Sequence, residues 1–240
     1  MEDKIEKIFE LLTKWYEYPK YQLERRLDIF FSIYLPEILK EKGIYFELKD
    51  IFPEFPLKKE NNQSTNVDYA IFENKDDEAN LYLVELKTEM NSISLKQADY
   101  YKKAQEKNLI DILGEIIEIK KHSKQWRKYE KLLKDIKERY NIIKPNSKEK
   151  EKKREWIVND NNPKILNNVK VIYIVPNNEK DELLKEKNNF EVIYFDDIIK
   201  IIENKYNDRL SKMFCSILKK MRSSKNFKRN KSNSWSIYYS

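Results

Sequence analysis

Only one histidine (His122), one cysteine (Cys215) and two glycines occur in 240 residues. Each shortage removes a class of chemistry. A zinc site of Cys and His ligands cannot be assembled within the chain, and neither can a disulfide. A Ser-His-Asp or Cys-His hydrolase would have to use His122, which stands in "IKKHSKQW" between two helical patterns and reads as a solvated side chain. The glycine-rich loops that cradle nucleotide phosphates are missing. No apolar run approaches the ~18 residues a membrane span needs. The opening "MEDKIEKIFELLTKW" alternates charge with apolar residues and lacks the apolar block of a signal peptide. The expected address is the cytoplasm. What the chain has in quantity is carboxylate, lysine and tyrosine, which suit oxygen ligation of a hard divalent cation.

The composition is 40% hydrophobic and 37% charged, as expected of a folded chain with a heavily charged surface. The net charge of +7 is unevenly spread. From Arg209 to Ser240 there are nine Lys or Arg and no Asp or Glu, leaving 39 positive against 41 negative charges in residues 1–208. A local basic block suits either a polyanion partner or a solvated tail.

Hydrophobic periodicity predicts helices over 3–17 and 21–42, the second kinked or split by Pro36 and stopped by Gly43. "YFELKDIFPEFPLKK" reads as an edge or bent strand because of Pro53 and Pro56. "STNVDYAIFE" and "LYLVELKTE" read as an antiparallel hairpin. Helical pattern runs from Ser94 to about Tyr140 with breaks near Asn108 and His122. A charge run, "NSKEKEKKREW", and a loop, "NDNNPK", follow. Strands at "NVKVIYIVP" and "FEVIYF" flank a short helix over 179–187, and helices continue from Asp196 to about Met221. The alternation predicts one α/β domain over 1–221, with a helical insertion at 108–140 and a basic tail over 222–240.

Strand alternation puts Leu83, Glu85 and Lys87 on one face of the second hairpin strand, with Asp68 facing opposite to Val67 and Tyr69 on the first. Pairing then brings Asp68 towards Glu85. Two converging carboxylates repel unless a divalent cation sits between them. Glu-x-Lys on a strand also occurs as an exposed cross-strand pattern, and "SLKQ" (Ser94 to Gln97) also reads as a helix capping box.

An Asp on one strand ("NVDYAI"), then Glu-x-Lys on the next ("VELKTE"), then a helix, resembles the PD-(D/E)xK nuclease superfamily; "FPEFPLKKENNQSTNVDYAIF" followed by "VELKTE" looks like bacterial members of that group. The resemblance covers roughly 21–175, and its specific part is 66–101. It implies a restriction-endonuclease-like core, a central mixed sheet flanked by helices, with N-terminal helices and the helical insertion added. It implies a nuclease that hydrolyses phosphodiester bonds with Mg²⁺ or Mn²⁺. Asp68, Glu85 and the backbone of Leu86 would be ligands, and Lys87 would steady the water or the transition state. Glu24 would be the acid on the preceding helix, with Asp28 and Glu37 as rivals, and Gln97 the helix glutamine. Nucleic acid, more readily DNA, would be met by Lys58, Lys96, Tyr101, Lys225, Lys228 and Arg229, and a homo-oligomer is compatible. Val67 replaces the motif's usual proline. A binding module without turnover, or a protein-interaction domain on the same fold, stays open beside the enzyme.

Overall fold

The structure, a computed structural model, describes residues 2–15, 18, 22–59, 63–75, 78–146, 154–159 and 168–223. Two helices, α1 (Glu2–Trp15) and α2 (Glu24–Lys40), precede three antiparallel strands, β1 (Ile51–Lys58), β2 (Ser64–Lys75) and β3 (Glu78–Leu86). Helices α3 (Leu95–Gln105), α4 (Leu109–His122) and α5 (Trp126–Tyr140) follow, then a small ladder of β4 (Ile143–Pro145) with β5 (Trp156–Val158). The chain returns to the main sheet as β6 (Val169–Val175) and β7 (Glu191–Tyr194), and ends its described part with α6 (Phe195–Lys205) and α7 (Arg209–Ser223). The sheet order is β1-β2-β3-β6-β7, with β3, β6 and β7 parallel. This is an α/β fold with a mixed five-stranded sheet flanked by helices. Among the described residues no helix is long and apolar enough to cross a membrane.

The sheet is covered on both faces, which is why its central strands are nearly all apolar. Leu81 and Leu83 of β3, with Val171 and Tyr173 of β6, pack under α3, α4 and α5. Tyr82, Val84 and Leu86, with Ile172 and Ile174, pack under α1, α2, α6 and α7. Glu85 falls on the first face, in the position a leucine would fill, and is 2% exposed. Cys215 is buried in α7, and the lone His122 is exposed at the end of α4.

Several expectations change. Helix α2 passes through Pro36 without splitting. The flanking Leu35, Ile38 and Leu39 are fully buried, and this packing outweighs the lost backbone hydrogen bond. Gly43 adopts φ 75° just beyond the helix, the left-handed turn expected of it. The stretch after Tyr140 holds β4 and β5, whose buried Ile143 and Trp156 follow the helices of 108–140. Helix α7 reaches Ser223, so the first two residues of the supposed tail are helical.

Strict alternation also fails at one place. Val67 lies on the α3 face, but so do Ala70 and Phe72, while Tyr69 and Ile71 lie on the other. In β1, Phe52, Phe55 and Leu57 all lie on the α3 face. The paired strands keep register across the break, with Phe52 opposite Ala70 and Phe55 opposite Val67, but Glu54 takes φ 50° and neither Glu54 nor Asp68 forms a ladder pair. The two strands twist at that point. Asp68 therefore does not simply oppose both its neighbours, as alternation predicts, but stands where the ladder opens.

Candidate active site

The twist turns the Asp68 carboxylate towards the end of β3, where Oδ2 accepts the Leu86 N–H at 2.7 Å. A side chain here completes the ladder that the β2 backbone leaves. The Lys87 N–H bonds the Ile174 carbonyl on β6 at 2.8 Å, so the residue after β3 is still held to the sheet. Its ammonium bends back to Glu85 Oε1 at 2.5 Å. The Leu86 backbone thus borders the carboxylates.

Helix α3 supplies the remaining partners of Glu85. Gln97 Nε2 donates to Oε1 at 2.7 Å, and the Tyr101 hydroxyl donates to Oε2 at 2.5 Å. Gln97 also donates to the Tyr101 hydroxyl at 2.8 Å, and the Asn66 carbonyl lies 3.2 Å from it. Ser94 caps α3 without a side-chain bond, so the capping-box reading of Gln97 is replaced by a bond to the carboxylate. Tyr101 is fully buried and cannot contact nucleic acid; it positions Glu85. Burial and the Glu85 charge push its phenol up.

Glu24, in the first turn of α2, completes the cluster. Burial raises its pKa, opposed by Lys87 and reinforced by Glu85, while the Thr88 backbone amide favours its charged form. The rivals stand apart. Asp28 accepts its neighbour's amide, from Ile29, and Glu37 pairs with Lys205. Asp68 is pushed up to about 8 by burial and by the Glu85 charge, with the Leu86 amide pulling the other way. Burial works against the Lys87 ammonium, but Glu85, Glu24 and Asp68 outweigh it and raise its pKa. The structure thus gathers Asp68, Glu85, Lys87 and Glu24, with Gln97 behind them: three carboxylates around one ammonium.

The oxygens of Asp68, Glu85 and Glu24 are of the type that would ligate a hard divalent cation. Among the described residues, no three of His, Cys, Asp or Glu are already drawn together as a cation cage. The Lys87 ammonium instead serves as Glu85's cation. The excess of carboxylates, visible in Asp68, fits a cation that adds positive charge.

Of the outer residues, Lys58 is half-buried and paired with Glu118, and Lys96 is exposed on α3. Lys225, Lys228 and Arg229 lie outside the described residues. Sequence reasoning missed Tyr173, which pairs with Glu85 across β3 and β6. Its buried hydroxyl has no hydrogen-bond partner among the described residues. Burial, Glu85 and Asp68 raise its pKa. Its place in an apolar strand gave no signal beyond the strand itself. Compared with protein-family models, curated proteins and solved structures, the chain matches none.

Proposed function

We propose that the chain is a metal-dependent nuclease of the PD-(D/E)xK kind, hydrolysing phosphodiester bonds in nucleic acid, more readily DNA. The observation that carries this reading is the meeting of Asp68, Glu85 and Glu24 around Lys87, from three separate elements, with Asp68 held partly protonated near neutral pH. Carboxylates whose pKa values are shifted by burial and by like charge cluster at functional sites. The order α2, β1 to β3, α3, then β6 parallel to β3 supports a restriction-endonuclease-like core.

Asp68, Glu85 and Glu24 would hold Mg²⁺ or Mn²⁺, with the Leu86 backbone beside them. When bound, the cation supplies Lewis-acid chemistry: it offsets charge on the scissile phosphate and eases proton loss from the attacking water. The chain's own residues do the rest. Tyr101 and Gln97 fix the plane of the Glu85 carboxylate by holding both of its oxygens. Lys87 places a positive charge at the edge of the cluster, where it stabilises charge growing on the phosphate oxygens. Asp68 carries a proton in the cation-free state and releases it as the site gains positive charge.

One observation favours a second reading, a module that binds nucleic acid without turnover: both Glu85 oxygens are already engaged by protein groups. One experiment separates the two. Circular DNA, linear DNA and RNA are incubated with the protein in Mg²⁺, Mn²⁺ or chelator, alongside Asp68→Asn and Lys87→Ala. The nuclease reading expects cleavage that needs the metal and drops about 100-fold or more in both variants. Binding without cleavage in every condition would support the module instead.

A further inference from the structure

One turn round from Gln97 and Tyr101, a cavity of about 210 Å³ opens between β1 and the α3–α4 corner, lined by Lys58, Lys59, Tyr100, Lys103, Lys107 and Glu115, among others. Four ammonium groups and a single carboxylate line it. Lys107 pairs with Glu115 at 2.6 Å, and Lys58 pairs with Glu118 on α4. Lys59 lies over the Tyr100 ring, 5.7 Å from its centroid. The cavity is too small and too charged for a drug-sized apolar ligand. A phosphate with part of its sugar suits it: an anion for the ammonium groups and an aromatic edge for what is attached.

The cavity's position ties it to the carboxylates. Tyr100 is adjacent in sequence to Tyr101, which holds Glu85. Lys58 pairs with Ser64 in the β1–β2 ladder. Asp68 lies four residues further along β2, about 13 Å at roughly 3.4 Å per residue. Over such a span one strand of a duplex presents about four phosphates, at roughly 3.4 Å of axis per strand.

We propose that this cavity is a phosphate subsite that grips the nucleic-acid backbone a few nucleotides from the bond cut at the Asp68–Glu85 cluster. The proposal rests on the nuclease reading for its ligand, but not for its charge. The subsite orients the strand along the outside of α3 and sets the register in which the scissile phosphate arrives.

Two titrations in metal-free buffer test it, on wild type, on the double variant Lys59→Ala/Lys103→Ala, and on Lys59→Arg/Lys103→Arg. The first measures inorganic pyrophosphate binding by calorimetry. The second measures anisotropy of labelled DNA and RNA oligonucleotides at several salt concentrations. The subsite predicts that the alanine variant binds pyrophosphate and oligonucleotide about tenfold more weakly. Its dependence of log K on log salt should be shallower by roughly 1 to 2, two phosphate contacts being lost. The arginine variant should restore both. Pyrophosphate that fails to bind wild type, or binds the alanine variant equally, overturns the subsite; oligonucleotide binding that persists unchanged in that variant leaves the nuclease reading standing. Pyrophosphate held through these lysines, with no oligonucleotide bound by wild type, overturns both the strand assignment and the nuclease reading while leaving an anion site.

Discussion

Two buried carboxylates, Glu85 and Glu130, sit beneath the same helical layer, and their surroundings are opposite. Glu130 on α5 meets Lys120 at 3.0 Å, Arg154 at 2.7 Å and the Trp156 indole N–H at 2.9 Å. Two cations and a neutral donor answer one carboxylate. Glu85 shares one ammonium with two further carboxylates, and Asp68 answers by holding a proton up to about pH 8. The first cluster fastens the β4–β5 ladder to α4 and α5, and its carboxylate is fully matched by positive charge. The second is short of positive charge in the free protein. A fold that can satisfy one buried carboxylate so fully has no structural need to leave the other in deficit. On the reading proposed above, a bound cation would make up the deficit.

Substitutions should move the two clusters in opposite directions. The largest effect on stability is expected from Glu130→Ala, which removes the buried carboxylate shared by Lys120 and Arg154. The cost is about 3 kcal/mol or more, lowering Tm by roughly 10 °C for a chain of this size, as differential scanning fluorimetry would show. Cleavage by the folded fraction should be unchanged. A neutral result would mean that this cluster is not matched as described.

Tyr101→Phe comes next. Glu85 loses a buried donor, at about 2 kcal/mol by the usual value for a hydrogen bond to a charged group, measurable by urea unfolding. Tyr101 also fixes the carboxylate's plane, so a fall in cleavage rate should accompany the loss. An unchanged rate would reduce Tyr101 to a packing residue.

Asp68→Asn should have the reverse sign, stabilising the metal-free protein near pH 8 by on the order of 1 kcal/mol. Its pH dependence follows from the raised pKa. Between its ordinary value near 3.8 and about 8, the folded chain keeps a proton that the unfolded chain has released. The contribution of Asp68 to stability is full below that window and is lost as pH rises through it. In the metal-free wild type this component of Tm should decline from about pH 5 to about pH 8, and Asp68→Asn should flatten the decline. Matching pH profiles for the two proteins would contradict the charge deficit.

The smallest effect is expected from Tyr173→Phe. The hydroxyl it removes is buried without a partner among the described residues, so unfolding should show no loss and a gain of up to about 1 kcal/mol. A clear loss would show that Tyr173 belongs to the cluster's hydrogen bonding after all.

The contrast also separates what local sequence can express from what it cannot. Glu85 and Lys87 were legible because a charge at a leucine position in a buried strand is anomalous on its own, and Asp68 because hairpin pairing is a short-range rule. Glu24 followed from the resemblance, and only the packing of α2 brings it beside Lys87 and Glu85 while Asp28 and Glu37 bond elsewhere. The twist at Glu54 and Asp68 was hidden, since it needs a left-handed backbone at a glutamate, which no local propensity favours. Tyr101 was named as a nucleic-acid contact, and its burial was not legible because it depends on Tyr173 and the sheet beneath α3. Glu130 was not singled out from the sequence. Its partners, Arg154 and Trp156, arrive only when a ladder formed across the charge run brings them back.

The central claim, that the Asp68–Glu85–Glu24 cluster is a cation site, is tested most directly by the thermal stability of wild type and Asp68→Asn with increasing Mn²⁺ at pH 7.5. The account predicts that Tm of wild type rises with the metal, approaching the roughly 2.7 kcal/mol expected at a hundredfold excess over Kd, and that the rise is lost in Asp68→Asn. No rise in wild type, or an equal rise in both proteins, would contradict it.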